Sequence, residues 1–159
     1  MKFKTTKTLR EIKEIFIADT NARKNYRCAN MPIIELIDLV GKPNAEITCE
    51  MNPKTLTLNR GSVVECLIKM LALKLDLAVK SFNDSEADLV VNGIEYEIKY
   101  STGKGYANYN ANKKIGNLIF VDSYGIYLTN GNEIVLDKCG KHIATLTWKN
   151  YKTLYTFKY

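Results

Sequence analysis

The sequence predicts an α/β fold of the mixed α+β kind, in which a mixed β-sheet is flanked by helices. Three observations favour it: apolar residues recur at helical spacing in the first half, the turn signal Asn92-Gly93 separates two apolar stretches, and short β patterns continue to the C-terminus. The 159 residues are enough to bury a core. We expect residues 1–54 to form an N-terminal helical and short-strand extension packed on the core, and residues 55–159 to form that core and end in C-terminal β-hairpins.

The composition is typical of a soluble globular protein, with 46% hydrophobic and 25% charged residues. A formal net charge of +6 favours a polyanionic partner such as nucleic acid. No apolar run approaches the roughly 18 residues that a membrane-spanning helix needs, so no membrane association is expected.

The cysteines are too widely spaced for a zinc site, because no Cys-x-x-Cys pair occurs and His142 is the single histidine. No secretory signal precedes the first helical pattern, and free thiols suit a reducing compartment. We therefore expect a cytoplasmic protein.

The first forty residues predict two short helices. Residues 1–6 are basic and are expected to be frayed, whereas apolar spacing predicts a helix from Leu9 to about residue 18. A second helix is predicted to begin at Pro32, which suits a first turn, and to end at Gly41. Residues 19–30 between them predict a polar loop. Its composition is typical of phosphate and base contacts, although a solvated connector would look the same, and the residues concerned are Arg23, Lys24, Tyr26 and Arg27.

The longest helix is predicted over residues 62–77, after short strands at residues 45–49 and 55–58. Glu65 borders its apolar stripe. Two structural roles for this carboxylate stay open: a capping box with Ser62 and an ion pair with Lys69 one turn later.

A β-hairpin is predicted around Asn92-Gly93, because this pair favours a tight turn with positive φ. The second strand alternates, so that Glu95, Glu97 and Lys99 share one face. Asp88 begins the partner strand. A solvent-facing side of an amphipathic strand would explain the same alternation.

Further strands are predicted downstream, at residues 77–82, 118–123, 125–129, 133–136, 142–148 and 154–157. Residues 101–105 predict a flexible basic loop. This loop and the segment after it carry tyrosines and the cations Lys104, Lys113 and Lys114, a composition suited to holding a nucleic-acid backbone, although a mere surface loop would look similar.

Three segments together resemble the PD-(D/E)XK nuclease superfamily, and most of all archaeal Holliday-junction resolvases and restriction-type nucleases. They are Arg60-Gly61-Ser62-x-x-Glu65 opening a helix, Ala87-Asp88-Leu89-Val90, and Glu97-Ile98-Lys99. The resemblance covers about residues 58–130. Ala87 stands where the family name has proline, and Glu95 could take the place of Glu97.

The resemblance implies a restriction-endonuclease-like core and a Mg²⁺-dependent endonuclease, in which Mn²⁺ can substitute, that hydrolyses DNA phosphodiester bonds as a homodimer. Asp88, Glu97 and the Ile98 carbonyl would hold the metal, Glu65 would complete the site, and Lys99 would act on the nucleophilic water. The residues expected to bind nucleic acid are Arg60, Ser62, Lys104, Lys113, Lys114, Arg23, Lys24 and Arg27.

Two other function classes stay open. The chain could be a catalytically inactive nuclease-like protein that binds nucleic acid through its basic face. It could also be a protein-interaction module that inhibits a nucleic-acid enzyme, with the basic surface meeting an acidic partner. Binding to DNA, and the dependence of that binding on salt, separates these classes.

Overall fold

The computed structural model describes residues 3–74, 88–102, 106–110, 117–129, 134–138, 143–148 and 151–159. The chain forms two compact units, the first essentially residues 1–77 and the second residues 78–158. The boundary predicted from the sequence lies at residues 54/55, whereas in the structure the longest helix belongs to the first unit. Among the described helices, none has the length and apolarity to span a membrane.

The first unit combines one small sheet with three α-helices. Strands β1 and β2 are antiparallel, and Thr8 pairs with Glu46 at one end. In chain order the elements are β1 (Phe3–Thr8), α1 (Leu9–Ala22), a 3₁₀ helix (Lys24–Tyr26), α2 (Arg27–Val40), β2 (Glu46–Met51) and α3 (Arg60–Lys74).

Strand β1 corrects the expectation of a frayed N-terminus, since residues 3–6 pair with β2. Its sequence is mostly polar and carries little strand signal of its own. The strand forms because a partner more than forty residues away supplies its hydrogen bonds, and Thr6 also bonds Thr48 at 2.7 Å between hydroxyls.

Helix α1 is confirmed and runs further than predicted. The Thr8 hydroxyl accepts a hydrogen bond from the Glu11 amide at 3.2 Å, which caps the first turn. Leu9, Ile12 and Phe16 form the buried face. The helix continues to Ala22, so the first part of the predicted loop at residues 19–30 is helical.

Helix α2 begins at Arg27, five residues before the predicted start at Pro32. Together with the 3₁₀ helix it replaces the rest of the predicted loop. Pro32 lies inside the helix rather than in its first turn. The predicted end is confirmed, because Gly41 adopts the left-handed conformation, with φ 67°, that terminates a helix.

Helix α3 packs against α2 and β2 and begins two residues earlier than predicted. The side chain of Asn59 accepts a hydrogen bond from the Ser62 amide at 3.2 Å, so Asn59 caps the helix. The predicted strand at residues 55–58 is reduced to a single bridge between Met51 and Leu58. The predicted strand at residues 77–82 lies outside the described residues.

The second unit contains a five-stranded mixed sheet and a three-stranded sheet. Its strands in chain order are β3 (Leu89–Val91), β4 (Ile94–Tyr100), β5 (Tyr106–Asn110), β6 (Asn117–Val121), β7 (Gly125–Thr129), β8 (Ile134–Lys138), β9 (Ile143–Trp148) and β10 (Lys152–Thr156). The larger sheet has the order β10-β7-β6-β4-β3, with β4 and β6 parallel and the other pairs antiparallel. The smaller sheet is antiparallel in the order β5-β9-β8.

The predicted hairpin is present as β3 and β4. Asn92 and Gly93 have φ values of 52° and 79°, the left-handed geometry that this residue pair favours. The mixed α/β class is thus confirmed, with a mixed sheet of five strands as the main β element of the second unit.

Candidate functional site

Asp88 immediately precedes β3, and Glu97 lies on β4, the antiparallel partner of β3. Leu89 pairs with Tyr96, so one further step along the register sets Asp88 across from Glu97. Residues that face each other in this way have Cβ atoms about 4.5–5.5 Å apart and side chains on the same face. The extended register therefore puts these two acidic residues side by side at the end of the hairpin away from its turn.

A hydrogen bond fixes the Asp88 carboxylate. Its Oδ2 accepts from the Ile98 amide at 2.9 Å. This contact holds the side chain across the strand beside the backbone of Ile98, whose carbonyl is the predicted backbone ligand. The structure thus brings together Asp88, Glu97 and Ile98, three of the four predicted metal-site residues.

Glu97 is buried, with 8% of its surface exposed, while Glu95 on the same face is exposed. A plain solvent-facing strand side does not explain this difference. In the parallel ladder Glu97 pairs with Leu118, which is fully buried, so the carboxylate borders an apolar interior. Burial of a carboxylate is costly unless a cation or hydrogen-bond donors compensate it.

Lys99 lies two residues beyond Glu97 on the same face and is partly buried. The strand rise separates their Cα atoms by about 6–7 Å. Its partner across the parallel ladder is Phe120, which is 1% exposed. The Lys99 side chain therefore leaves the strand on the same face as Glu97 and is partly shielded from solvent.

Glu65 is the fourth predicted acid and lies on α3 of the first unit. Its Oε1 accepts a hydrogen bond from Lys69 Nζ at 2.9 Å, so the ion pair considered in the sequence analysis is present. The capping box is not, because Ser62 lies within the helix and its hydroxyl accepts from the Glu50 amide at 2.9 Å. Across the described parts of the chain, no group of three or more His, Cys, Asp or Glu side chains has metal-binding proximity.

Two thiols near Glu65, those of Cys49 and Cys66, are weakly reactive. Burial raises the pKa of Cys49 to about 11, and burial also raises the pKa of Cys66. Because the thiolate is the form that attacks electrophiles or binds metals, both cysteines are unsuited to these roles near neutral pH.

The first unit contains a second cluster of polar and aromatic side chains, of which the sequence predicts Arg23, Tyr26 and Arg60. We call Asp19, Arg23, Tyr26, Asn30 and Arg60 the arginine–tyrosine cluster. The guanidinium carbons of Arg60 and Arg23 lie 4.9 and 5.4 Å from the centroid of the Tyr26 ring. Both distances are within the range of cation–π attraction.

Polar contacts hold Arg60 in this cluster. Its Nε donates to Asn30 Oδ1 at 2.8 Å and its Nη2 donates to Asp19 Oδ2 at 3.2 Å. Asn30 is fully buried and donates to Asp19 Oδ2 at 2.8 Å. The three helices of the first unit therefore meet at one guanidinium group, whose orientation is fixed from two sides.

A groove of about 600 Å³ runs beside this cluster. Its charged lining residues are Lys7, Asp19, Arg23 and Arg60, and its apolar wall includes Ile15 and Leu56. The sequence predicts Arg23 and Arg60 as nucleic-acid-binding residues but does not predict Lys7, Asp19 or Asn30. No local motif marks those three, since their role depends on contacts between distant segments.

The other described residues expected to bind nucleic acid do not line this groove. Lys24 lies in the 3₁₀ helix, Arg27 is the first residue of α2, and the Ser62 hydroxyl bonds the β2 backbone. Lys104, Lys113 and Lys114 lie outside the described residues.

Comparison of the chain with protein-family models, with curated proteins and with solved structures found no match.

Proposed function

We propose that this protein is a Mg²⁺-dependent endonuclease that hydrolyses DNA phosphodiester bonds and has a restriction-endonuclease-like core. The observation that carries the proposal is the hydrogen bond from the Ile98 amide to the Asp88 carboxylate, which holds Asp88 beside the strand that carries the buried Glu97 and, on the same face as Glu97, Lys99. Two adjacent carboxylates repel each other unless a cation or a proton lies between them. Carboxylate oxygens are the ligands that Mg²⁺ prefers.

Asp88, Glu97 and the Ile98 carbonyl would hold the metal ion. The Ile98 amide keeps the Asp88 carboxylate in position through its hydrogen bond to Oδ2. Glu97 is preferred over Glu95 because its burial removes competing water from the carboxylate. Bound Mg²⁺ would supply neutralisation of the charge that grows on the phosphate during hydrolysis.

Lys99 would orient or deprotonate the water that attacks the phosphorus atom. A lysine is suited to this because its ammonium group can also stabilise negative charge in the transition state. Glu65 stays the predicted fourth member of the metal site; in the structure it belongs to α3 of the first unit and pairs with Lys69.

The proposal includes a homodimer, since two active sites allow both strands of a duplex to be cut. It also includes activity with Mn²⁺ in place of Mg²⁺, and a structure-selective or restriction-type substrate. Sedimentation of the purified chain tests the dimer independently of cleavage.

Nicking of supercoiled DNA tests the proposed chemistry. Asp88→Asn and Glu97→Gln should each lower the Mg²⁺-dependent rate by about 100-fold or more, as losses of a transition-state contact do. Asn at position 88 retains an oxygen for the Ile98 amide, so the variant should stay folded. Lys99→Ala should lower the rate while metal binding, measured by calorimetry, is retained.

Glu95→Gln is the matched control, because it removes a carboxylate from the same face of the same strand at an exposed position. Its rate should equal that of the parent protein. Parental activity in folded Asp88→Asn and Glu97→Gln would refute the assignment of these acids.

A non-cutting nucleic-acid-binding protein is the second candidate, and the arginine–tyrosine cluster favours it because that cluster needs no metal. DNA binding in EDTA without any cleavage in Mg²⁺ or Mn²⁺ would select it. Salt-insensitive binding to a protein, and none to DNA, would select an inhibitor module instead.

A further inference from the structure

We infer that the groove beside the arginine–tyrosine cluster binds a single-stranded segment of nucleic acid. The inference deepens the proposed function, on which it rests for the choice of a nucleic acid as the ligand. It adds that the substrate carries unpaired nucleotides. The groove, the cluster and every residue used below belong to the first unit.

The charge of the groove selects an anion. Lys7, Arg23 and Arg60 line it together with one carboxylate, Asp19, so cations outnumber anions by three to one. Arg60 contacts Asp19 and Asn30 and is thereby held in one orientation. A guanidinium group that is already fixed loses little entropy when a phosphate binds, and its planar N–H groups match phosphate oxygens.

Arg23 is the more accessible arginine, since 60% of its side-chain surface is exposed. Its contact with Asp19 is long, at 3.7 Å, and it lies over the same tyrosine ring as Arg60. The Arg60 contacts already connect the three helices. Arg23 therefore adds a second guanidinium group to the groove, and its exposed side chain is accessible to a phosphate.

The groove also has exposed apolar lining residues. Ile15 is 38% exposed and Leu56 is 66% exposed. Leu56 also has a φ of 55°, a left-handed conformation that is unfavourable for a leucine. The turn over residues 52–57 holds Leu56 in this conformation, because the Leu56 amide donates to the Asn52 carbonyl at 2.8 Å and the Asn52 amide donates to the Thr57 carbonyl at 2.7 Å. The turn thereby keeps an exposed apolar side chain in the lining of the groove.

A single strand fits this combination better than a duplex does. In a duplex the bases are stacked inside, so only phosphates and groove edges reach a protein surface. In a single strand each nucleotide offers a phosphate to the cations and a base face to an apolar wall. A groove lined by both cations and exposed apolar side chains offers contacts to both parts of the nucleotide.

Fluorescence anisotropy with labelled oligodeoxythymidylate, in EDTA to prevent cleavage, tests the inference on the full chain. A labelled duplex of equal length is the comparison. The parent protein should bind the single strand more tightly than the duplex. Arg23→Ala should weaken single-strand binding about tenfold and lower the slope of log affinity against log salt by roughly 0.7, the contribution of one phosphate contact.

Leu56→Gly separates a binding role from a structural one. Glycine accepts a φ of 55° without strain, so the melting temperature should stay the same or rise while single-strand affinity falls severalfold. Arg10→Ala is the matched control, because Arg10 is a cation on the same helix as Ile15 and does not line the groove. Its affinity should equal that of the parent.

Unchanged single-strand affinity in folded Arg23→Ala and Leu56→Gly would overturn the inference. Equal or tighter binding of the duplex would also overturn it, as would full displacement of the oligonucleotide by polyglutamate at matched charge concentration. Failure of the endonuclease proposal alone looks different: single-strand binding in EDTA would persist, while the parent does not cut DNA in Mg²⁺ or Asp88→Asn cuts it as fast as the parent.

Discussion

Tyr127 shows how one buried turn affects a neighbouring side chain. Asp122, which is 2% exposed, accepts hydrogen bonds from the amides of Tyr124 and Gly125 at 2.7 and 3.0 Å. The Tyr127 phenol lies beside this carboxylate. Burial, and next the negative charge of Asp122, raise the pKa of Tyr127 to about 12.

This shift predicts a loss of stability at high pH. The unfolded chain releases the phenol proton near pH 10, whereas the folded chain retains it to about pH 12. The contribution of Tyr127 is therefore constant below about pH 9 and is lost as the pH rises from 10 towards 12. Urea unfolding at several pH values should show that Tyr127→Phe is less sensitive to this rise than the parent.

The same measurement contains its control. Between pH 7 and pH 9 the parent and Tyr127→Phe should show no difference in the pH dependence of their unfolding free energies. Parallel curves up to pH 12 would mean that the environment of Tyr127 does not favour its neutral form.

Gly125 is required by the close approach of β10. A Cβ atom at this position would overlap the backbone carbonyl oxygen of Tyr155, where the β10 register shifts between Thr153 and Tyr155. Backbone cannot move aside as a flexible side chain can. Gly125→Ala should therefore lower the free energy of unfolding by about 1–3 kcal/mol, as overpacking typically does. Chemical denaturation measures this, and an unchanged midpoint would contradict the contact.

At the level of elements, the hairpin of β3 and β4 depends on its turn. Gly93 has open space around its missing Cβ, so the cost of Gly93→Ala should come only from the φ of 79° and reach about 1–2 kcal/mol. Asn92→Gly provides the control, since glycine accepts the φ of 52° at this position. Thermal melting of both variants should show destabilisation by the alanine alone, and equal melting temperatures would contradict the strain argument.

The hairpin was predictable because its information is local. Asn92-Gly93 and the alternation after it determine both the turn and the faces, so the shared face of Glu97 and Lys99 followed directly from the sequence. Strand β1 was not predictable in this way. Its polar residues gain their hydrogen bonds from β2, and no pattern within residues 3–8 announces that partner.

The predicted start of helix α2 was wrong for a related reason. Its first turn contains Arg27, Cys28 and Asn30, which suggest a loop when the sequence is considered alone. The fully buried Asn30 belongs in the helix because it bonds Asp19 and Arg60, residues from two other helices. Pro32 favoured a later start because proline suits the first turn of a helix, although in the structure it lies well inside the helix.

At the level of the whole molecule, the candidate site was predictable in position but not in environment. The register that opposes Asp88 to Glu97 follows from the turn, whereas the burial of Glu97 depends on the pairing of β4 with β6, which comes later in the chain. The arginine–tyrosine cluster joins α1, the 3₁₀ helix, α2 and α3. Only the folded structure reveals such contacts between distant segments.

The division into two units predicts that binding and cleavage can be separated. Every residue that lines the groove lies between Lys7 and Arg60, and the helices around it share buried residues such as Ile12, Ile33 and Val63. Residues 1–77 should therefore unfold cooperatively on their own, as measured by circular dichroism, and bind oligodeoxythymidylate within a few-fold of the full chain. The fragment should not cut DNA in Mg²⁺, because Asp88, Glu97 and Lys99 are absent from it. Cleavage by the fragment would remove these residues from the mechanism, and a cooperative fragment without affinity would place single-strand binding elsewhere in the chain.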